Sequence, residues 1–222
     1  MVDSKFDTQA QAQMAETTLE LLGAVAEEEA LSQRSLAERL GVALGLTNAV
    51  VKRCVKKGLL KIRQAPARRY IYYLTPQGFA EKSRLTAEYL TFSLQFYRQA
   101  RQEYGDVLAY CATRGWRRVV LVGATELAEI ASLAATGTEV KIIGILDPGR
   151  NQSSFGDIPV LQSLEDLGPD KRAQAVILTD TQDPQAAYTK LVGVLPEDRV
   201  LTPKLLHIST MAQRNRNGDD MK

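Results

Sequence analysis

The sequence is short of the residues that build metal and redox chemistry. Its 222 positions hold one histidine, His207, and two cysteines, Cys54 and Cys111. No CxxC or HExxH spacing occurs, so a metal centre built from protein ligands is not expected. The cysteines lie far apart on helical patterns and read as two buried thiols, as a reducing compartment allows. No apolar run approaches the ~20 residues that a membrane span needs. The opening MVDSKFDTQAQAQ lacks the apolar stretch of a signal peptide. A cytoplasmic protein with no membrane partner is the expectation. The composition, 45% hydrophobic and 24% charged, is that of a globular chain with room for one or two domains.

The most informative deficit is local. From Arg39 to Ala80 there is no Asp or Glu, while nine residues are basic: Arg39, Lys52, Arg53, Lys56, Lys57, Lys61, Arg63, Arg68 and Arg69. The whole chain is only +2, so 19 basic residues face 26 acidic ones elsewhere, a balance of −7. A cationic module on an anionic chain is the footprint of a polyanion site.

The same stretch carries an order of elements. Ser32 can N-cap a helix QRSLAERL whose Leu36, Ala37 and Leu40 recur at helical spacing, and Gly41 can end it in the left-handed conformation. A second helix begins near Gly45. Thr47, Val50, Val51 and Cys54 form its inner face, and Leu46, Asn48, Ala49, Lys52 and Arg53 point outward. This is the pattern of a helix-turn-helix. Gly58 stops the second helix. LLKIRQ and RRYIYYLT then read as strands, with APA as a hairpin tip between them. That hairpin is a wing, and double-stranded DNA is the expected partner. The candidate DNA-binding residues are Ser32, Gln33, Arg34, Gly45, Leu46, Asn48, Ala49, Lys52, Arg53, Lys56, Arg63, Arg68 and Arg69.

LSQRSLAERLGVALGLTNAVVKRCVKKGLLKIR, followed by YIYYLTPQGFAEKSRLTAEYL, resembles the exopolysaccharide-associated branch of MarR-type winged-helix transcriptional regulators. The resemblance covers about residues 16–104, and the LTPxGxxEKxRLT block is its most specific part. It implies a dimeric regulator with the helix from Gly45 in the major groove. Leu46 stands where a polar or basic residue is usual in that family.

On either side of this module the reading is helical. Residues 1 to about 10 are polar and expected to be mobile. Ala15 to Glu28 carries Leu19, Leu22 and Val25 at helical spacing. Thr75-Pro76 is a cap followed by a first-turn proline, and it opens a helix of some 35 residues to about Ala112. Gly78 is a weak break, and the helix either runs through Gly105-Asp106 or divides there. Leu85, Tyr89, Phe92, Phe96, Val107 and Cys111 fall on one stripe, expected to be a homodimer seam.

After Gly115 the period changes. RRVVLVGA, VKIIGILD, IPVL, QAVILTD and DRVLTP read as strands, with TELAEIASLAAT and DPQAAYTKLVGV as helices. Strands alternating with helices imply a parallel, three-layer Rossmann-like sheet. Asp147 ends the second strand, 24 residues after Gly123, near the ~20-residue offset of a ribose-binding acid. Only Gly123 remains of a G-x-G-x-x-G turn. Thr125 takes the place of the second glycine, where its methyl would crowd a pyrophosphate and its hydroxyl can bond a phosphate. The candidate ligand residues are Gly123, Ala124, Thr125, Glu126, Leu127, Asp147, Pro148, Thr179 and Asp180.

VVLVGATELAEIA, VKIIGILDPGRNQSSFGDIPVLQSLEDL and AVILTD together resemble the Rossmann-like domain that precedes the β-helix in bacterial sugar O-acyltransferases. That resemblance covers residues 118–203 and implies a nucleotide-sugar as ligand. The acetyl-transferring half of those enzymes has no counterpart here, and catalysis is not expected.

The chain thus reads as a winged helix-turn-helix (residues 11–75), a long linking and dimerisation helix (76–114) and a Rossmann-like ligand domain (117–213). The function it implies is a regulator of surface-polysaccharide genes that senses a nucleotide or nucleotide-sugar, with no certain cofactor. The alternative readings are an NAD(H) sensor of the Rex redox-repressor type, which also joins a winged helix to a Rossmann domain, and an enzyme acting on a nucleotide-sugar.

Overall fold

A computed structural model describes residues 3–28, 31–65, 69–167 and 172–210. The chain forms two compact units that divide between Leu94 and Gln95.

The first unit opens with α1 (Asp3–Glu27), far longer than the span the sequence periodicity marks. The stretch from Asp3 to about Ala10, read from the sequence as a polar start, is helical. The Gln/Ala-rich run before Met14 has high helix propensity and contains no Gly or Pro, so it extends the amphipathic segment. α2 (Gln33–Leu40) is capped as expected. The Ser32 hydroxyl accepts the Ser35 N–H, and Gly41 takes φ 61°. α3 (Leu44–Lys56) follows, then β1 (Leu60–Ala65) and β2 (Arg69–Leu74), paired antiparallel. Leu21, Leu22, Val25, Leu36, Val50, Val51, Cys54, Leu60, Tyr72 and Leu85 close one apolar core around these elements. Arg39 pairs with Glu27 and Glu28, so the acidic end of α1 meets a cation that its own last turn lacks.

α4 (Pro76–Thr113) is one continuous helix of 38 residues. Thr75 caps it and does more. Its hydroxyl accepts the Gly78 N–H (3.0 Å) and donates to Gly58 O (2.6 Å), while its own N–H donates to Leu59 O (3.1 Å). Gly78 is therefore not a break. A Cβ there would lie 2.1 Å from Leu59 O, so glycine is what lets the helix start pack on the chain leaving α3.

In the second unit the sheet order is β5-β6-β4-β3-β7-β8. Its strands are β3 (Arg118–Val122), β4 (Lys141–Leu146), β5 (Ser154–Phe155), β6 (Ile158–Leu161), β7 (Ala175–Leu178) and β8 (Val200–Leu201). All pairings are parallel except β5 with β6, an antiparallel edge that the sequence reading did not contain. α5 (Glu126–Ala135) joins β3 to β4, and α6 (Pro184–Val192) joins β7 to β8.

Three layers result. Ala100, Tyr104, Leu108 and Cys111 of α4 pack with Leu127, Ala128 and Ala131 of α5 against Val119, Leu121, Ile145 and Ile177. The other face, with Val120, Val122, Val176 and Leu178, meets Tyr188 and Leu191 of α6. The C-terminal half of α4 is thus a layer of this unit, as a residue stripe of steps four, four and three requires. The Tyr104 hydroxyl, fully buried, donates to Leu178 O at 2.8 Å, and burial pushes its pKa well above the ordinary range.

Candidate nucleic-acid interface and ligand crevice

α3 divides as its spacing demands. Thr47, Val50, Val51 and Cys54 are buried. Burial also raises the Cys54 thiol pKa, with Lys57 and Arg53 opposing. Gly45, Ala49, Lys52 and Lys56 recur at i, i+4, i+7 and i+11 and are all exposed, so they form the outermost ridge. Leu46 and Arg53, also exposed, lie on one flank. Asn48 departs from the outward reading. It is half-buried on the other flank, and its Oδ1 is enclosed without a hydrogen-bond partner. The cause is its place one residue after buried Thr47, at the margin of the inner face.

The remaining candidates are dispersed. Ser32 is spent as the α2 cap, and Arg34 is exposed on the first turn. Gln33 is half-buried and lies beside the Tyr72 hydroxyl, which closes no hydrogen bond of ordinary geometry. Arg63 is exposed on β1. Arg69 opens β2, and Arg68 lies outside the described residues.

The second site lies at the carboxyl ends of β3, β4 and β7. The sheet reverses its order there: β3 leads to β4 and β6 on one side, and to β7 and β8 on the other. Such a switch point leaves a crevice between the loops after the strands. A cavity of about 610 Å³ occupies it, lined by Gly123, Ala124, Thr125, Asp147, Pro148 and Asp180 as the sequence suggests. Glu126 and Leu127 do not reach it: Leu127 is a buried core residue of α5, and Glu126 points to solvent. Thr179 is fully buried beneath it, its hydroxyl 2.6 Å from Gly123 O and 2.9 Å from Val122 O. Gly149, Arg150, Gln182, Asp183 and Lys190 also line the cavity, and the sequence reading lacked them.

The glycine turn is closed by the protein itself. Asp147 Oδ2 accepts the Ala124 N–H at 3.0 Å, and Oδ1 accepts the Gly149 N–H at 3.3 Å. The Thr125 hydroxyl donates to Thr179 O at 2.5 Å and accepts the Leu127 N–H at 3.2 Å. Gly123 has φ 100°, and a Cβ there would stand 2.7 Å from Asp180 N and Cα. Its missing side chain makes room for the neighbouring loop, and its N–H donates to Leu146 O at 3.0 Å, so neither Gly123 nor Ala124 offers the open N–H pair that a pyrophosphate occupies in a Rossmann turn.

Two cations remain on the crevice. Arg150 is held over the turn: Nη1 donates to Ala124 O (2.5 Å), Nε donates to Gln152 Oε1 (2.9 Å), and the guanidinium stacks on Phe155 at 4.9 Å. Lys190, on α6, is exposed.

Against known proteins, residues 14–61 match the family model described as winged helix-turn-helix DNA-binding. The N-terminal unit is a winged helix-turn-helix. Among solved structures, the PcaV transcriptional regulator of Streptomyces coelicolor is similar at 29% identity, over 36% of this chain and 60% of its own, with a TM-score of 0.34. A MarR family transcriptional regulator from Silicibacter pomeroyi DSS matches at 19% identity over 40% of this chain and 61% of its own, TM-score 0.34. The Staphylococcus aureus MepR–DNA complex matches at 15% identity over 43% and 78%, TM-score 0.35. The chain spans about 60% of the length of the first of these relatives. No curated protein matches the chain. Within the winged helix-turn-helix, α3 holds the recognition position and β1–β2 the wing. Among the described residues, no helix is long and apolar enough to cross a membrane, and no cluster of His, Cys, Asp or Glu could hold a metal ion.

Proposed function

We propose that the chain is a MarR-type DNA-binding transcriptional regulator that acts as a cytoplasmic homodimer and reads a small ligand in its C-terminal crevice. The observation that carries this reading is the outer ridge of α3. It presents Lys52 and Lys56 from a module that has no acid between Arg39 and Ala80. Exposed Tyr89, Phe92 and Phe96 on α4, with Phe92 71% exposed, support a self-complementary seam. A dimer would set two α3 helices at the ~34–36 Å spacing of successive major grooves. The resemblances at both ends of the chain favour surface-polysaccharide genes as targets and a nucleotide or nucleotide-sugar as effector. The crevice carboxylates are each bonded to backbone N–H groups, which supports binding over catalysis.

The test is duplex binding by fluorescence anisotropy across a salt series, after selection of a preferred site from random duplexes. Lys52→Ala with Lys56→Ala should flatten the slope of log K against log salt by up to about two units, at ~0.9 per phosphate contact. A wild-type protein with no affinity for duplex DNA at low salt overturns the reading. Sedimentation should give a dimer, and charged residues at Phe92 and Phe96 should give monomers.

A further inference from the structure

Arg150 is immobilised on the wall of the crevice without a carboxylate partner, although its face is stacked on Phe155 and two of its N–H groups are already fixed. A guanidinium has five N–H donors, so three remain unspent. Fixing a long side chain costs conformational entropy, and the Phe155 ring, 4.9 Å from the guanidinium carbon, helps to hold it in place. Lys190 lies on the same cavity, and its side chain makes no hydrogen bond or ion pair among the described residues.

The crevice's acids are differently placed. Asp147 holds Ala124 and Gly149, Asp180 Oδ1 accepts the Gln182 N–H at 2.8 Å, and Asp183 Oδ1 accepts the Ala186 N–H at 3.0 Å. Each carboxylate is thereby partly compensated by backbone dipoles, yet retains lone pairs that can accept from a hydroxyl.

We infer that the crevice takes a phosphorylated, hydroxyl-rich metabolite whose phosphate is held by Arg150 and Lys190, not by the glycine turn. The hydroxyls donate to Asp180 and Asp183. A cavity of about 610 Å³ lies in the range that encloses a ligand of this size. The closed turn explains why the anion must bind elsewhere: Asp147 fills the Ala124 N–H, and Asp180 abuts Gly123. This inference rests on the sensor reading above and adds the pair of residues that select the ligand.

The experiment is calorimetric titration of the full chain with inorganic phosphate, glucose 1-phosphate, UDP-glucose and NADH. Wild type should bind at least one of the two phosphorylated sugars. Binding by glucose 1-phosphate would identify the sugar phosphate as sufficient, and binding by UDP-glucose alone would require the nucleotide; both support the assignment. Lys190→Gln and Arg150→Gln should each weaken that binding by at least about tenfold, the worth of a hydrogen bond to a charged group. Arg150→Lys should recover only part of the loss, because a point charge cannot reproduce the fork. Lys141→Gln, an exposed lysine at the opposite end of β4, controls for general charge and should bind as wild type. Lys190 is exposed and unpaired, so its variant tests the idea even if Arg150→Gln loosens the loop. Sugar binding that survives both glutamine variants overturns the inference and leaves the sensor reading standing. If no phosphorylated sugar binds wild type at millimolar concentration, the sensor reading fails with it. NADH binding tighter than either sugar also overturns it.

Discussion

Gly78→Ala separates two physical arguments that predict opposite signs. Gly78 lies in the first turn of α4, where replacing glycine by alanine in a helix ordinarily stabilises by up to about 1 kcal/mol. The contact says otherwise. The new Cβ would stand 2.1 Å from Leu59 O and 2.9 Å from Leu74 Cδ2, against the ~3.3 Å or more of an ordinary carbon–oxygen approach. Relief requires the start of α4 and the Leu59 backbone to part by roughly 1 Å, and overpacking of this kind costs about 1–3 kcal/mol. Leu59 O also accepts the Thr75 N–H and lies 3.2 Å from the Thr75 hydroxyl. Loosening those adds about 1 kcal/mol each. Set against the propensity gain, a net loss of about 2–5 kcal/mol is expected, concentrated in the winged helix. The assay is native-state hydrogen exchange read by mass spectrometry on peptides from residues 31–74, which should lose protection. Gly105→Ala is the control on the same helix. A Cβ there meets nothing within 4 Å, so that variant should be neutral or more stable. A Gly78→Ala protein as well protected as wild type refutes the close-approach argument.

The other expectations concern the second unit, whose Trp116 is the only tryptophan and so reports its unfolding by fluorescence. Gly123→Ala forces φ 100° on a residue with a side chain and drives its Cβ to 2.7 Å from the Asp180 backbone; the urea midpoint should fall by the equivalent of at least about 1–3 kcal/mol. Tyr104→Phe leaves Leu178 O without the hydroxyl that reaches it, and should cost about 1–3 kcal/mol in the same titration with the slope unchanged. Burial pushes the Cys111 thiol from 9.0 up to about 11. Its contribution is therefore fully present below pH 9 and lost as the pH rises toward 11, and a Cys111→Ala variant should lack that component of the alkaline decline.

What could be read from the sequence follows from how local each cause is. The α2 cap, the left-handed Gly41, the buried face of α3 and the start of α4 at Thr75-Pro76 are set by residues three or four positions apart, and all stand where the periodicity puts them. The strand–helix alternation after Gly115 gave the parallel sheet for the same reason, since a short apolar run has few other uses between helices. The site was less legible because its geometry is assembled across 54 to 57 positions, as in the bonds from Thr125 to Thr179 and from Thr179 to Val122. From the sequence, Asp147 looks like a ribose acceptor and Gly123 like a phosphate turn. Only the neighbouring loop reveals that the carboxylate is already bonded to Ala124 and that the glycine gives way to Asp180. Arg150 could have been found, because it is the sole charged residue in the loop from Pro148 to Phe155. Its charge looks solvated until the stacking on Phe155 is known. Tyr104 was hidden for the opposite reason. The exposed aromatics Tyr89, Phe92 and Phe96 define a conspicuous stripe, and it draws the eye from Ala100, Tyr104, Leu108 and Cys111, the positions of α4 that the sheet covers. Within the second unit the buried positions of α4 follow their own steps of four, four and three, and a stripe drawn from the exposed aromatics passes over Ala100, Tyr104 and Leu108.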